Sequence, residues 1–188
     1  MKNYDIDAHT ELWETLAWLE KLVIDLNLCP FAKRELLKNR VRFSLCTEEK
    51  QELLLGQLEE ELDNLSEHPE IETTLLVHPN AFADFYDFND FLGRADALLR
   101  IMDLEGVFQI ASFHPQYQFS GTDVDDAENF TNRSPYPCLH LIREESLEHA
   151  VDSHPDPEGI PTRNIELMNS MGVEKIQALL ASCRRPNG

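Results

Sequence analysis

Three short β-prone runs, VRFSLC (41–46), ETTLLVHPN (72–80) and VFQIASFHP (107–115), are separated by two long helical patterns. This alternation constrains the fold more than any other feature of the chain. A strand, a helix and a second strand of one sheet connect as a right-handed crossover, which makes the two strands parallel. The first run alternates, with Val41, Phe43 and Leu45 on one face. The second is β-branched and apolar, and it stops at Pro79, which has no N–H to give to a ladder. Between them, TEEKQELLLGQLEEELDNL predicts a helix with Thr47 as its cap and glutamates at the dipole-favoured start. Ahead of the third run, the spacing of Phe85, Phe88, Leu92, Ala95, Leu99 and Met102 predicts a helix over about 82–102, with Gly106 separating it from the strand.

Upstream, Leu12, Leu16, Leu19, Val23 and Leu26 form one helical stripe that Thr10 can cap. That helix ends near NLCP, where Pro30 biases Cys29 out of the helical region. Downstream, a long polar loop leads to a fourth strand, CLHLIRE (138–144). Helices follow over SLEHAV and IPTRNIELMNSMG, the second with Pro161 in its first turn and Gly172 at its stop, and VEKIQALLASC extends them. SHPDPEG (153–159) is the most flexible joint. The expected fold is α/β: a mixed sheet of about four strands with a parallel βαβαβ core, helices packed on it in two or three layers, and one long loop before the last strand. With 188 residues the expectation is a single domain, 1–188, large enough for a real core.

Thirty-five acidic residues against sixteen basic ones leave a formal charge of -19, a field that repels phosphate backbones and anionic lipid. Nucleic acid and membrane are therefore not expected partners. No apolar run approaches a membrane span, and MKNYDIDAHTELWE lacks the basic and apolar regions of a secretory signal. Cys29, Cys46, Cys138 and Cys183 are widely spaced without a CxxC pair, which fits reduced thiols in a cytoplasm. The sequons at Asn129 and Asn132 carry no weight in such a chain.

The second and third strands end alike, in LLVHP at His78 and ASFHP at His114. If both crossovers are normal, the two histidines leave the sheet at its carboxyl edge, where ligands of open α/β sheets bind. The long loop starts there too. Its DDAENFTNRSPYP segment holds Asp125 and Asp126, which suit a general base, and Arg133, whose fork suits a carboxylate or phosphate. Loops this long are usually functional or disordered, and Tyr117, Phe119, Phe130 and Tyr136 argue for order. His78 and His114 with an aspartate would also form a set for a divalent metal such as zinc, though HExxH and CxxC motifs are absent. Each histidine reads equally as a satisfied imidazole at a strand end, and His140, inside the fourth strand, reads as a buried, hydrogen-bonded residue. Cys29 in NLCPFAK is a candidate nucleophile if a following short helix lowers its thiol pKa, and a small buried hydrophobe otherwise.

The segments NLCPFA, TTLLVHP, DFNDFL, LEGVFQIASFHPQYQF, DDAENFTNRSPYPCLHLIRE and IPTRNIE together resemble the bacterial domain-of-unknown-function family 1415, over about 13–172. The resemblance implies a single-domain, soluble bacterial protein. It implies no reaction and no catalytic residues.

Two functions follow as expectations. The first is a hydrolase or group-transfer enzyme acting on a small anionic metabolite. In it His78 and His114 serve as acid/base groups or metal ligands, Asp125 or Asp126 activates water, and Asn132, Arg133 and Ser134 hold the anion. The second is a ligand-binding or protein-interaction module without catalysis. A third reading makes the loop an internally satisfied clasp. Oligomeric state is open.

Overall fold

The computed structural model describes residues 6–186. The leader reading falls partly on residues 1–5, which lie outside them. The described chain opens with a 3-10 turn (Ile6–Ala8) and α1 (Thr10–Trp18), which widens into a π-helical segment (Leu19–Ile24). It continues through α2 (Ala32–Leu37), β1 (Val41–Leu45), α3 (Gln51–Glu67), β2 (Thr73–Val77), α4 (Phe85–Ile101) and β3 (Phe108–Phe113). A 3-10 turn (Ala127–Thr131) interrupts the long loop before β4 (Cys138–Arg143), and α5 (Glu144–Ser153), α6 (Gly159–Met171) and α7 (Val173–Ala181) complete it.

The sheet is mixed and open, with strand order β1-β2-β4-β3. β1 and β2 pair in parallel, Val41 opposite Thr73. β4 pairs antiparallel with both β2 and β3, Leu75 opposite His140 and Ala111 opposite His140. The first three strands thus run the same way, as the crossovers require, and β4 occupies the strand-wide gap between β2 and β3.

Side chains alternate across this sheet and feed two cores. Leu76, Phe108, Leu139 and Leu141 meet the apolar stripes of α3 and α4 on one face, with Leu54, Leu58, Leu62, Phe88 and Phe91 buried against them. Phe43, Leu45, Leu75, Val77 and Cys138 meet Leu12, Trp18, Leu22 and Cys183 on the other. The result is three layers. A smaller cluster of Leu28, Ala127, Phe130, Met168 and Ile176 fixes α6 and α7 to the 3-10 turn of the loop.

Helix starts differ from expectation in two places. Asp84 caps α4, its carboxylate accepting from the N–H groups of Tyr86 at 2.8 Å and Asp87 at 3.3 Å. Thr10 and Thr47 do not cap. His9 and Lys50 hold the cap positions of α1 and α3 without a side-chain bond to the helix start. Thr47 lies upstream of Gln51, and its carbonyl instead accepts from the Asn80 side chain at 2.8 Å. Gly172 ends α6 at φ 78°, as its C-terminal position predicts.

One buried ion pair ties β1 to α3. Arg42 Nε donates to Glu61 at 2.7 Å, a second nitrogen donates at 3.0 Å, and Ser44 Oγ adds a bond at 2.8 Å. Both charged side chains are buried, so neither tolerates loss of the other. Arg42→Met alone is expected to lower unfolding free energy by about 3–5 kcal/mol, and Arg42→Met with Glu61→Leu to regain most of it. Urea unfolding of the single and double variants measures this.

Candidate functional site

At the carboxyl edge the two His-Pro endings meet across one ring. His78 and His114 lie against Phe88, with ring centroids 5.4 and 5.3 Å away. His114 is fully committed: Nε2 donates to the Phe82 carbonyl at 2.9 Å, and Nδ1 accepts from the Gln116 N–H at 3.0 Å. Phe82 is held at φ 61°, a left-handed conformation costly for a bulky side chain, so this bond pins a strained turn. Burial pulls the His114 pKa below the ordinary histidine value, with the Phe82 carbonyl opposing. His78 is sealed completely, and neither ring nitrogen has a partner among the described residues. Burial holds its pKa down at about 3; the nearby Ala81 main chain, outside hydrogen-bond geometry, opposes this, and His114 adds to it.

The loop residues turn inward on the loop itself. Arg133 Nε donates to the Tyr117 carbonyl at 3.1 Å and its Nη2 to the Val124 carbonyl at 2.7 Å, while the guanidinium lies 4.4 Å from the centre of the Phe130 ring. Ser134 Oγ donates to Tyr136 O at 2.6 Å, and Asn132 Nδ2 reaches Ser112 O at 3.3 Å. Asp125 and Asp126 are exposed, and Asp126 accepts from the Asp123 N–H at 2.8 Å in a local turn. The residue that organises the loop is one the sequence reading set aside. Asn129 is fully buried, accepts from Phe119 N–H and Thr122 Oγ, and donates to the Asp123 carbonyl.

This geometry is a clasp. The expected metal set does not assemble, because His114 has no free lone pair and no group of three His, Cys, Asp or Glu among the described residues converges to hold an ion. Arg133, the expected anion fork, is buried and directs its Nε and Nη2 donors to main-chain carbonyls.

The space that a small molecule can enter lies on the opposite side of the same strands. A cavity of about 280 Å³ separates the β1–β2–β4–β3 face from the π-helical segment, α2 and α5. Trp18, Leu19, Val23, Leu75, Phe113, Ile142 and Leu147 give it apolar walls. The π turn, closed by bonds such as Asp25 N–H to Glu20 O at 2.9 Å, brings Leu19 and Val23 together on that wall. At the rim, Arg34 and Arg40 both donate to Glu35, and Arg40 also pairs with Glu72, so the charges cancel. Cys29, also on this wall, is half-buried at the start of a turn, and α2 begins only at Ala32. Val23, Cys29 and Phe113 also wall a second cleft of about 420 Å³, which the loop lines with Phe119 and Asn132 and α6 with Asn164.

His140 is a polar group on the sheet-side wall of the first cavity, beside Thr73. Thr73 has one hydroxyl proton and gives it to the Leu141 carbonyl at 2.5 Å, so the 2.6 Å contact between Thr73 Oγ and His140 Nε2 has the imidazole as donor. Nδ1 therefore carries the lone pair. Burial pulls the His140 pKa down to about 4, which keeps the ring neutral. The ring is deep in the molecule yet partly accessible, because the surface it shows is a cavity wall. A strand's inward-facing histidine is visible in sequence, but the void beside it is not.

The fold and cavity define a small three-layer α/β protein with a partly open apolar cavity between the sheet and its helices. The chain belongs to the family described as "Protein of unknown function (DUF1415)", whose model matches residues 11–178. No curated protein and no solved structure matches it significantly. No helix among the described residues is long and apolar enough to cross a membrane, and all four cysteines are free.

Two variants separate the roles of the buried groups. Arg133→Ala is expected to lower the melting temperature by several degrees, in line with losing about 2–3 kcal/mol of charge-assisted hydrogen bonding, as scanning calorimetry would show. His78→Phe removes two orphaned nitrogens from an aromatic environment and is expected to raise stability at pH 7 by roughly 1–3 kcal/mol. The sign of its pH effect follows from the lowered native pKa. His78 in the native state resists protonation, so stability is full above 6.5 and falls as pH drops from 6.5 towards 3. Denaturant titrations across that window should show the wild type losing about 1.4 kcal/mol per pH unit more than His78→Phe.

Proposed function

We propose that the protein is a small-molecule-binding protein whose site is the apolar cavity between the sheet and the π-helical segment. The observation that carries this is α5. A ten-residue amphipathic helix ordinarily buries its apolar face, and α5 buries none of its residues, while its Leu147 and Ala150 face the cavity. A ligand would supply the missing contacts. The volume supports the reading as well: a void of ~150 Å³ accepts benzene, and this one is about 280 Å³. Apolar walls with few convergent polar groups are the ordinary composition of ligand sites.

This is the non-catalytic alternative that the sequence raised. The hydrolytic reading at His78, His114, Asp125 and Asp126 has less support, because those groups are sealed, committed to main chain, or solvated on a turn.

The test is a panel of small aromatic fragments titrated into the protein and followed by methyl NMR. Binding is expected to shift the methyl signals of Leu75, Ile142 and Leu147 and to raise the melting temperature with ligand concentration. Ala111→Leu fills the cavity from β3 and is expected to abolish both effects while the fold survives. Fragments that leave those methyls unmoved, or that bind Ala111→Leu equally well, would sink the proposal.

A further inference from the structure

We propose that the ligand of this cavity is an uncharged aromatic molecule that carries a hydrogen-bond donor, a hydroxyl or ring N–H, received by Nδ1 of His140. The inference rests on the cavity being the binding site, and adds which chemistry the cavity selects.

Three observations lead to it. The tautomer of His140 is dictated by its neighbours. Thr73 Oγ gives its proton to the Leu141 carbonyl, so His140 Nε2–H donates to Thr73 and Nδ1 is left as a pure acceptor. That acceptor has no hydrogen-bond partner among the described residues, and unlike the nitrogens of His78 it is not sealed off, so its lone pair opens on the cavity that the ring lines. A polar group held this way in an apolar chamber rewards a donor and penalises an isostere that lacks one.

The charge of the ligand follows from the rim. Glu35 is buried and takes hydrogen bonds from both Arg34 and Arg40, and Arg40 also holds Glu72. Neither arginine stands without a carboxylate, and the chain as a whole carries -19. An anionic ligand would have to displace a carboxylate already paired with these arginines, leaving buried Glu35 without its partners, and enter against that field. The shape points to a flat ring system. Trp18 and Phe113 already pack edge to face at 5.0 Å on the wall, and Phe113 lies 6.2 Å from the His140 ring, so a planar ligand extends an aromatic cluster.

Isothermal titration calorimetry with indole, benzofuran and indole-3-carboxylate tests this on the full chain. Indole and benzofuran share one shape and differ in the ring N–H. Indole is expected to bind roughly tenfold more tightly than benzofuran, the ratio one neutral hydrogen bond supplies, and indole-3-carboxylate more weakly than indole. In His140→Phe, which keeps the ring and removes the acceptor, the indole to benzofuran ratio is expected to fall to about one. Should that variant not fold, the ¹⁵N shift of His140 Nδ1 in the unmodified protein serves: it should move with indole and stay with benzofuran. Equal affinity for indole and benzofuran, a preference that survives His140→Phe, an unmoved Nδ1, or carboxylate binding as tight as indole would overturn the inference while leaving the cavity as a site. No binding by any of the three, together with a failed fragment panel, would remove the site itself.

Discussion

The central position of β4 is the constraint on which the rest of the molecule depends. The crossover through α4 leaves β3 one strand-width away from β2, and a strand paired on both sides satisfies the backbone groups that face each other across that gap; entered from the carboxyl edge where β3 ends, it runs antiparallel to both. Its alternation then divides the protein. Leu139 and Leu141 complete the core under α3 and α4, while Cys138, His140 and Ile142 go to the other face. A shift of one residue in the β4 register would bury His140 among leucines and open the cavity onto Leu139 and Leu141.

The return path explains the loop. A chain leaving β3 at Phe113 has to cross the sheet edge and re-enter between two strands, and the parts of that excursion around His114, Asn129 and Arg133 are buried. Its polar groups need partners away from water. Asn129, Arg133, Ser134 and His114 supply them, each bonding main chain. Residue types suited to catalysis are the same ones that satisfy a folded loop, so composition alone could not separate the two. What decides is where the donors point, and Arg133 points at the carbonyls of Tyr117 and Val124.

The cavity arises from what does not pack. The π-helical segment interrupts the regular stripe of α1, and α5, following β4 without a connecting loop, is held close to the strand it leaves. Neither fills the space over Leu75, Ile142 and Ala111. The His140 acceptor there is set by Thr73 on the adjoining strand, two links from any feature that would draw attention in a sequence. Cys29, singled out for its chemistry, shares that wall and the neighbouring cleft, and Asn132 shares the cleft.

Much of the architecture was legible beforehand. The β-prone runs, the stripes of α1, α3 and α4, the stop at Gly172 and the likeness to the family all follow from local periodicity and from residues read in order, because secondary structure and burial pattern are short-range properties. The caps were less so: Thr10 and Thr47 are good capping residues in the wrong register, since helix starts are decided by the turn that precedes them. The amino-acid sequence by itself determined an acidic, mixed α/β chain with three co-directional strands and a fourth entered through a polar loop. Only the tertiary structure decided that β4 lies between its neighbours, that the loop's side chains close on the loop, and that an open volume adjoins His140. Those are facts of long-range placement, and a void has no residue to announce it.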